Sequence, residues 1–522
     1  MSSKWKTLWI VLLISGLFTA CGPSAIEADV LITGGTVIDG SGKAPIMADV
    51  ALAGDTILFV GDASGANIKA AMVVNATGKI VSAGFIDAHT HSLGDLKSSD
   101  RNANLNYLTQ GVTTVLNGND GDGPFNIDAL STQLESQGIG TNTAFLVGHN
   151  MVRKAVLGDK NVAPDAEQLN EMKALVRQGM EEGAFGFSTG LYYAPGSYSD
   201  TKEVIELTKE VAPFGGLYDS HIRDESSYTI GLINAVKETL EIGEKAGVPV
   251  HFAHIKALGV DVWNKSDEVI ELIEAAQARG MTVTADQYPW RASGTHLENA
   301  LIDRWVMAGG DEEYYKRLNN PQLLPRIKQE IAENMRKRGG ADALLITADV
   351  RDTSFIGFNL AQLSERLNMP PVEVALKIAR DGGARVASFN MNPYDLENFV
   401  TRPWVMTGSD GTTGHPRKYA SYPKKYRDYV VKKQLLSIES FVFKSSGQVA
   451  QTFGLERRGA LKPGYFADVI IFNPDEFKPM ADFSNPDELS VGIEYLWVNG
   501  RLTLENGTYT KALNGRVLKK HK

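Results

Sequence analysis

Cysteine is almost absent from this chain, which has a single one, Cys21, in 522 residues. Because Cys21 stands alone, no disulfide can form within the chain, and the remaining residues offer no thiolate to a metal. A transition-metal site outside the N-terminal segment must therefore be built from histidine, aspartate and glutamate.

An excess of positive charge is also absent. The chain carries 53 lysines and arginines against 62 aspartates and glutamates, a net charge of −9, and no basic block offsets this balance. A general nucleic-acid-binding protein would carry a basic patch, so we expect no nucleic acid as partner. The expected partner is a small-molecule substrate, and the sequence does not indicate an oligomeric state.

Long apolar runs are missing except near the N-terminus, where one run is too short to span a bilayer. It extends from Leu8 to Leu17, follows Lys4 and Lys6, and ends in the letters LFTAC at Cys21. A charged start, a short apolar core and small residues are typical of a secretory signal, and this one resembles a bacterial lipoprotein signal. We expect an exported lipoprotein, lipidated on Cys21 and held at the cell envelope by that lipid alone, in the outer membrane or facing the periplasm. An ordinary cleaved signal and a cytosolic enzyme are the alternatives.

The pattern of the remaining chain changes twice. Short alternating strands broken by glycines occupy residues 22–79 and return after residue 456, which predicts one small β-sandwich domain built from both termini. Between them, apolar runs alternate with segments of helical period, which is typical of repeated βα units. We predict strands over Ile80–His89, Val112–Leu116, Thr143–Val147, Ala184–Ser188, Gly216–Ser220, Pro249–His254, Thr282–Ala285 and Trp404–Thr407.

Eight such strands predict an α/β fold, a (β/α)8 TIM-like barrel, whose chemistry lies on the loops that follow the strands. Between the last two strands, residues 296–402 exceed one crossover and predict a mostly helical insertion that acts as a lid. The predicted parts are 1–21 (signal and lipidation site), 22–79 (first part of the β domain), 80–295 (barrel strands one to seven), 296–402 (insertion), 403–455 (strand eight and following helices) and 456–522 (second part of the β domain).

Polar residues with metal-binding groups follow several of these strands. The first strand ends in His89-Thr90-His91, and because side chains alternate along a strand, the two imidazoles point to one side and can share a metal. Single histidines or aspartates at strand ends are more often structural or turn residues. Convergence on one rim of a barrel instead predicts a metal centre, and three more residues close other strands: His221, His254 and Asp410.

Six ordered segments carry a resemblance to a known family: GFIDAHTH, GFSTGLYYAPGSYS, SHIRDES, HFAHIK, DQYPW, and GSDG followed by HPR. They resemble the amidohydrolase superfamily and, within it, the D-aminoacylase (N-acyl-D-amino-acid deacylase) branch. The resemblance covers about residues 28–475. It implies a metal-dependent hydrolase that cleaves the amide bond of N-acyl-D-amino acids and binds one or two zinc ions. The implied ligands are His89, His91, His221, His254 and Asp410, and the implied substrate-binding residues are Tyr193, Lys256, Tyr288 and Arg417.

One position departs from the family pattern. The family commonly has a cysteine ligand after the second strand, where this chain has Gly118-Asn119-Asp120-Gly121. A carboxylate can bind or bridge zinc, so we predict Asp120 as a metal ligand; the alternative is a loop aspartate in a glycine turn. An oxygen ligand weakens the preference for zinc and would admit another divalent metal. In this superfamily a carbamylated lysine at the end of the fourth strand can bridge two ions. No lysine stands there in this chain, so the number of ions stays open.

Asp410 is the predicted catalytic residue. Beside a metal-activated water, its carboxylate can accept a proton and pass it to the departing amine. The D-configuration and the acyl-amino-acid substrate come from the resemblance alone, and the preferred side chain and acyl group are not indicated. Two alternatives stay open: a dipeptidase or cyclic-amide hydrolase acting on D-residue substrates, and a non-catalytic, metal-holding envelope binding protein.

Overall fold

The protein is described by a computed structural model over residues 26–520. Residues 1–25, which contain the predicted signal and Cys21, and residues 521–522 lie outside this range. Within it, no helix combines the length and apolar character that a bilayer crossing requires.

A barrel of eight parallel strands forms the centre of the described chain. The strands are β1 (Phe85–Asp87), β2 (Val112–Asn117), β3 (Asn142–Phe145, continued by Val147–Gly148), β4 (Gly186–Gly190), β5 (Leu217–His221), β6 (Val250–Phe252), β7 (Val283–Gln287) and β8 (Val405–Thr407). Neighbours pair in chain order from β1 to β8. Thr90 after β1 pairs with Gly411 after β8, which closes the ring. The predicted α/β barrel is confirmed.

Helices connect the strands and cover the outside of the barrel. In Ser266–Ala278, for example, Val269, Ile270 and Ile273 recur three or four residues apart and are buried on one face. The helices outside the insertion are Leu93–Leu96, Leu105–Leu108, Ile127–Gln137, His149–Leu157, Ala166–Glu181, Thr201–Thr208, Leu232–Ala246, Ser266–Ala278, Arg417–Lys425 with its π-helical continuation Tyr426–Lys432, Ile438–Ser445 and Gly447–Phe453.

The segment predicted as one strand over Ile80–His89 is divided between two sheets, which corrects the prediction. Ile80–Ala83 pairs with Val469–Phe472 in the small β domain, and only β1 belongs to the barrel. The change occurs at Gly84, where a Cβ atom would lie 2.4 Å from the side chain of Thr113. Glycine therefore lets the chain pass close to β2 as it leaves one sheet for the other.

The small β domain combines strands from both ends of the described chain. It was predicted as a sandwich, but the nine strands form one hydrogen-bonded sheet. The long first strand has a bulge between Ile32 and Gly35, and its two halves pair with different strands on one side. The strands are Ile26–Ile38, Ile46–Ala53, Thr56–Gly61, Ile68–Asn75, Ile80–Ala83, Val469–Phe472, Ile493–Val498, Arg501–Glu505 and Thr508–Tyr509.

The insertion between β7 and β8, predicted as mostly helical, also contains a three-stranded antiparallel sheet. Strand Arg385–Ser388 lies between Ser293–His296 and Leu344–Ala348. Strands of four or five residues whose partners are distant in the chain leave no periodic signal, so the pattern did not reveal them.

The insertion has a hydrophobic core of its own. Ile331, Ile346 and Val374 are fully buried in a cluster separate from that of the barrel. Its helices are Leu297–Leu301, Arg304–Met307, Asp311–Leu318, Leu324–Lys337, Leu360–Leu367, Pro371–Arg380 and Pro393–Thr401. Because it buries its own apolar surface, the insertion can present polar residues to the barrel rim without depending on the barrel core.

Candidate metal centre

The six predicted ligands meet at the carboxyl-terminal rim of the barrel. They come from five strands: His89 and His91 after β1, Asp120 after β2, His221 at the end of β5, His254 after β6 and Asp410 after β8. All except His91 are at least 95% buried. This is the face on which barrel enzymes carry their active sites.

Four of these side chains lie close enough to share one cation. Nε2 of His89 is 3.5 Å from Oδ1 of Asp120 and 3.7 Å from Oδ1 of Asp410, and Oδ1 of Asp120 is 3.4 Å from Nε2 of His254. An ion about 2.1 Å from each of four tetrahedral ligands holds those ligands about 3.4 Å apart. Nε2 of His89 and Oδ1 of Asp120 are buried and have no hydrogen-bond partner in the described chain. The residues therefore fit a divalent metal.

A second group shares His254 with the first. Nδ1 of His221 lies 2.9 Å from Nε2 of His254, and Nε2 of His221 lies 3.9 Å from Oε2 of Glu225. The carboxylate of Asp120 lies between the two groups, with Oδ1 3.6 Å from Nδ1 of His221 and Oδ2 3.5 Å from Nε2 of His91. The arrangement offers ligand atoms for one ion or for two.

Three residues of the cluster adopt left-handed backbone conformations. The φ angles of Asp120, His254 and Asp410 are 57°, 34° and 48°. Such conformations are unfavourable for residues other than glycine and cost on the order of 1–3 kcal/mol each. The amide N–H of Asp410 donates to the carbonyl of His89 at 2.9 Å, and the amide of His254 donates to Asp286 at 3.2 Å. These bonds hold the strained residues toward the cluster.

The two aspartates are ionised. Burial by itself would raise the pKa of Asp410, but the guanidinium of Arg417, 2.8 Å away, and the imidazole of His254 hold this pKa well below its usual range. Burial would also raise the pKa of Asp120, but the imidazoles of His89 and His254 hold this pKa well below its usual range. Both carboxylates are thus available as anionic ligands.

The histidines differ in their affinity for protons. Burial and the neighbouring Lys256 lower the pKa of His254, but the surrounding carboxylates outweigh them and raise this pKa to about 9. Burial lowers the pKa of His221, so that imidazole is neutral at pH 7. The pKa of His89 is also raised, because its burial is outweighed by the carboxylates of Asp120 and Asp286. Metal ligands must be deprotonated, so metal binding at this site competes with protons at His89 and His254.

A layer of buried polar residues surrounds the cluster. The carboxylate of Asp286 accepts hydrogen bonds from the ring of His251 at 3.1 Å and from the backbone of His254 at 3.2 Å, and it faces Nδ1 of His89 at 3.7 Å. Strand alternation separates the side chain of His251 from that of His254, and among residues 26–520 His251 reaches the cluster through its hydrogen bond to Asp286. Partners of this kind orient metal-binding imidazoles.

The four predicted substrate-binding residues lie in the same place. Tyr193, Lys256 and Tyr288 line a cavity beside the cluster, and Arg417 adjoins it. The ring of Tyr193 lies 4.7 Å from that of His221, and the guanidinium of Arg417 lies 4.7 Å from the ring of Tyr288. The hydroxyl of Tyr288 is buried without a hydrogen-bond partner among residues 26–520.

Both cations predicted to hold a substrate carboxylate are paired with acids of the chain. Arg417 contacts Asp410, and Nζ of Lys256 lies 2.5 Å from Oε1 of Glu225 and 2.6 Å from Nδ1 of His254. A bound carboxylate would therefore compete with Glu225 for Nζ of Lys256, whereas Nε of Arg417 has no hydrogen-bond partner among the described residues and can donate to it.

Sequence reasoning missed Glu225. The motif SHIRDES offers two adjacent acids, and nothing in it distinguishes them. In the structure Asp224 accepts backbone hydrogen bonds from Ser226 and Gly231 in its own loop, whereas Glu225 points to Lys256 and His254. It also missed Arg338, which the insertion brings to the cavity from a segment without a recognisable motif.

Comparison with known proteins identifies relatives that share nearly the whole chain. The D-aminoacylase of Alcaligenes xylosoxydans xylosoxydans is 32% identical over 517 residues, which cover 94% of this chain and 97% of that protein. A solved D-aminoacylase structure has a TM-score of 0.80 at 30% identity. That protein is described as having a binuclear metal centre, with activation by one metal and attenuation by a second. It covers 94% of this chain and 100% of its own.

A second solved structure resembles the chain as closely. The N-acyl-D-glutamate deacylase of Bordetella bronchiseptica, complexed with zinc and a phosphonate inhibitor, has a TM-score of 0.81 at 29% identity, and the match covers 94% of this chain and 100% of that one. No protein-family profile matches the chain. Shared sequence over nearly the full length, a shared fold and a cluster of metal-binding side chains on the same barrel face lead to one conclusion. The chain belongs to the D-aminoacylase family of amidohydrolases.

Proposed function

We propose that this protein is a zinc-dependent hydrolase that cleaves N-acyl-D-amino acids to a carboxylate and a free D-amino acid. The observation that carries the proposal is the cluster in which His89, Asp120, His254 and Asp410 present ligand atoms within 4.8 Å of one another. The relatives that share the fold and sequence are D-aminoacylases and N-acyl-D-amino-acid deacylases, one of them with zinc bound.

The metal ligands in this proposal are the six predicted residues, with His254 and Asp120 close to both groups of the cluster. A zinc ion held by these residues would supply Lewis acidity for activating water and polarising the amide carbonyl. The carboxylate of Asp120 replaces the thiolate common in the family and leaves the site open to other divalent metals.

Asp410 carries the proton in the proposed reaction. Its Oδ1 lies 3.2 Å from Nε2 of His91 and its Oδ2 lies 2.8 Å from the guanidinium of Arg417. The ionised carboxylate accepts a proton from the attacking water and releases it to the departing amine nitrogen, which is the stronger base. Arg417 holds the pKa of Asp410 down, so a substrate carboxylate that binds Arg417 would make Asp410 a better base.

The remaining groups bind and orient the substrate. Lys256 and Arg417 supply N–H donors, and Tyr288 supplies a buried hydroxyl without a partner in residues 26–520. These donors converge beside the cluster, so we assign them to the carboxylate on the α-carbon, which is next to the scissile amide.

A substrate panel tests the proposal. We expect the purified protein to hydrolyse N-acetyl-D-amino acids at least 100-fold faster than their L-enantiomers, with activity lost on chelation and restored by zinc. Free amino acid is measured by a ninhydrin-type assay, alongside D-residue dipeptides and hydantoins as competing substrates. Exclusive cleavage of a dipeptide or a hydantoin, or full activity after metal removal, would refute the assignment.

We also propose that the protein is exported and anchored at the cell envelope through lipidated Cys21. The support is the order of a charged start, a short apolar run and a small-residue sequence before the cysteine. Labelling cells with a radioactive or clickable fatty acid should mark the wild-type protein and not the variant Cys21→Ala. Equal labelling of the two proteins, or none, would refute the anchor.

A further inference from the structure

Arg338 is a buried cation in the wall of the cavity beside the metal cluster. It is 1% exposed and lies directly after the insertion helix Leu324–Lys337. The other two cations of the site, Lys256 and Arg417, each have an acid partner. Within residues 26–520, no carboxylate comes within ion-pair distance of Arg338, and the ionisable side chains nearest to it are tyrosines, whose hydroxyls are neutral.

Neutral acceptors use part of the hydrogen-bonding capacity of Arg338. Nε donates to the carbonyl of Ala300 at 3.0 Å and Nη2 donates to the hydroxyl of Tyr192 at 3.1 Å. In the orientation of the Asn390 amide that satisfies its neighbours, the amide oxygen accepts a hydrogen bond from Nη1 of Arg338 at 3.2 Å. A guanidinium has five N–H groups, so two remain, one on each Nη nitrogen. Two such donors can bind a carboxylate together.

Tyr228 adds a second donor to this wall of the cavity. Its ring lies 5.5 Å from the guanidinium of Arg338, and its hydroxyl is buried with no hydrogen-bond partner among the described residues. Burying an unpaired charge and an unpaired hydroxyl is unfavourable, and an anion bound between them would relieve both. The wall thus has the chemistry of a carboxylate site.

The position of Arg338 indicates which carboxylate of a substrate it would meet. Lys256 lies 2.6 Å from His254 and Arg417 lies 2.8 Å from Asp410, next to the reacting atoms. Among the described residues, Arg338 makes no hydrogen bond or ion pair with a metal-binding residue, and its partner Tyr192 has its ring 5.7 Å from that of His221. It is therefore the outermost of the three cations and suits a carboxylate at the end of a side chain.

We propose that Arg338, with Tyr228, binds the side-chain carboxylate of the substrate and makes N-acyl-D-amino acids with an acidic side chain, such as aspartate and glutamate, the preferred class. This inference rests on the proposed function. It adds a preference that the metal cluster and the α-carboxylate donors do not specify, because those groups contact parts common to every N-acyl-D-amino acid.

The test compares kcat/KM for N-acetyl-D-glutamate, N-acetyl-D-aspartate and N-acetyl-D-leucine in the wild type and in Arg338→Met. We expect the wild type to prefer an acidic substrate and the variant to lose about 10- to 100-fold on that substrate, the range for a charge-assisted hydrogen-bond pair. Activity on the leucine substrate should change less than about threefold. That retained activity also reports that the variant is folded.

Two further variants separate recognition from structural support. Arg338→Lys keeps the positive charge but lacks the planar guanidinium that can bind a carboxylate through two N–H groups. It should lose activity on acidic substrates only, and the loss should be smaller than in Arg338→Met. Arg304→Met is the matched control, because Arg304 contacts Tyr192 from outside the cavity lining and should not change the ratio between substrates. An equal loss on acidic and neutral substrates in Arg338→Met, or a wild-type preference for leucine, overturns the inference. Neither of those results affects the proposed deacylase activity, whereas failure of the wild type on all three substrates would refute that activity itself.

Discussion

Replacing Asp410 with asparagine is expected to lower kcat by a factor on the order of 10² to 10⁴, the usual contribution of a general acid–base group. The amide cannot accept the proton from water, but it keeps the shape of the side chain and one of its two oxygens, which face His91 and Arg417 in the wild type, and so it is the least disruptive change at this position. The measurement is steady-state hydrolysis of the best N-acetyl-D-amino acid, together with metal content by atomic spectroscopy.

The control must separate lost proton transfer from lost structure or metal. Asp395 is a buried carboxylate that accepts backbone hydrogen bonds from Asn264 and Ser266 and does not line the cavity. Asp395→Asn should therefore lower Tm without a comparable loss of kcat. If Asp410→Asn holds its metal and turns over within threefold of the wild type, Asp410 is not the proton carrier.

Asp120 is the second position where a large effect is expected. Its carboxylate lies between 3.4 and 3.6 Å from the imidazoles of His89, His91, His221 and His254. Because even outer partners of metal ligands contribute 10- to 100-fold to affinity, we expect Asp120→Ala to weaken metal binding by more than about 100-fold. The measurement is a chelator-competition titration of the metal-free protein.

A cysteine at the same position tests the chemistry of the ligand. Asp120→Cys should retain the metal and favour zinc over manganese more strongly than the wild type does, because thiolates prefer softer ions. The ratio of the two metals bound after incubation with equal concentrations measures this preference. Unchanged affinity in Asp120→Ala would make Asp120 a loop aspartate and return the site to the histidines and Asp410.

Local sequence patterns predicted the parts of this protein that depend on neighbours along the chain. Strand alternation placed His89 and His91 on one side, and the position of each polar residue after an apolar run placed it at a strand end. A parallel barrel brings such ends to one rim, so His89, His91, His221, His254 and Asp410 could be expected together, whereas Asp120 was predicted from the family resemblance. The barrel itself follows from the repeated alternation of strand and helix.

Features that depend on contacts between distant segments were not predictable. No pattern showed that the strand predicted over Ile80–His89 divides at Gly84, where the chain lies against Thr113 of the next barrel strand. The three-stranded sheet of the insertion joins short segments far apart in sequence. The choice of Glu225 over its neighbour Asp224 depends on which way one loop turns.

The sequence by itself determined the chemical composition of the site: a barrel rim with imidazoles and carboxylates and without thiolate. Tertiary structure alone decided how the charges are matched, with Arg417 beside Asp410, Lys256 beside Glu225, and Arg338 left without an acid among the described residues. The physical reason is the separation along the chain over which each kind of contact acts. Periodicity and strand-end position report contacts a few residues apart along one element, whereas the pairing of buried charges depends on how loops and segments pack. Lys256 and Glu225 are 31 residues apart in the chain, and Arg338 contacts Tyr192, 146 residues away.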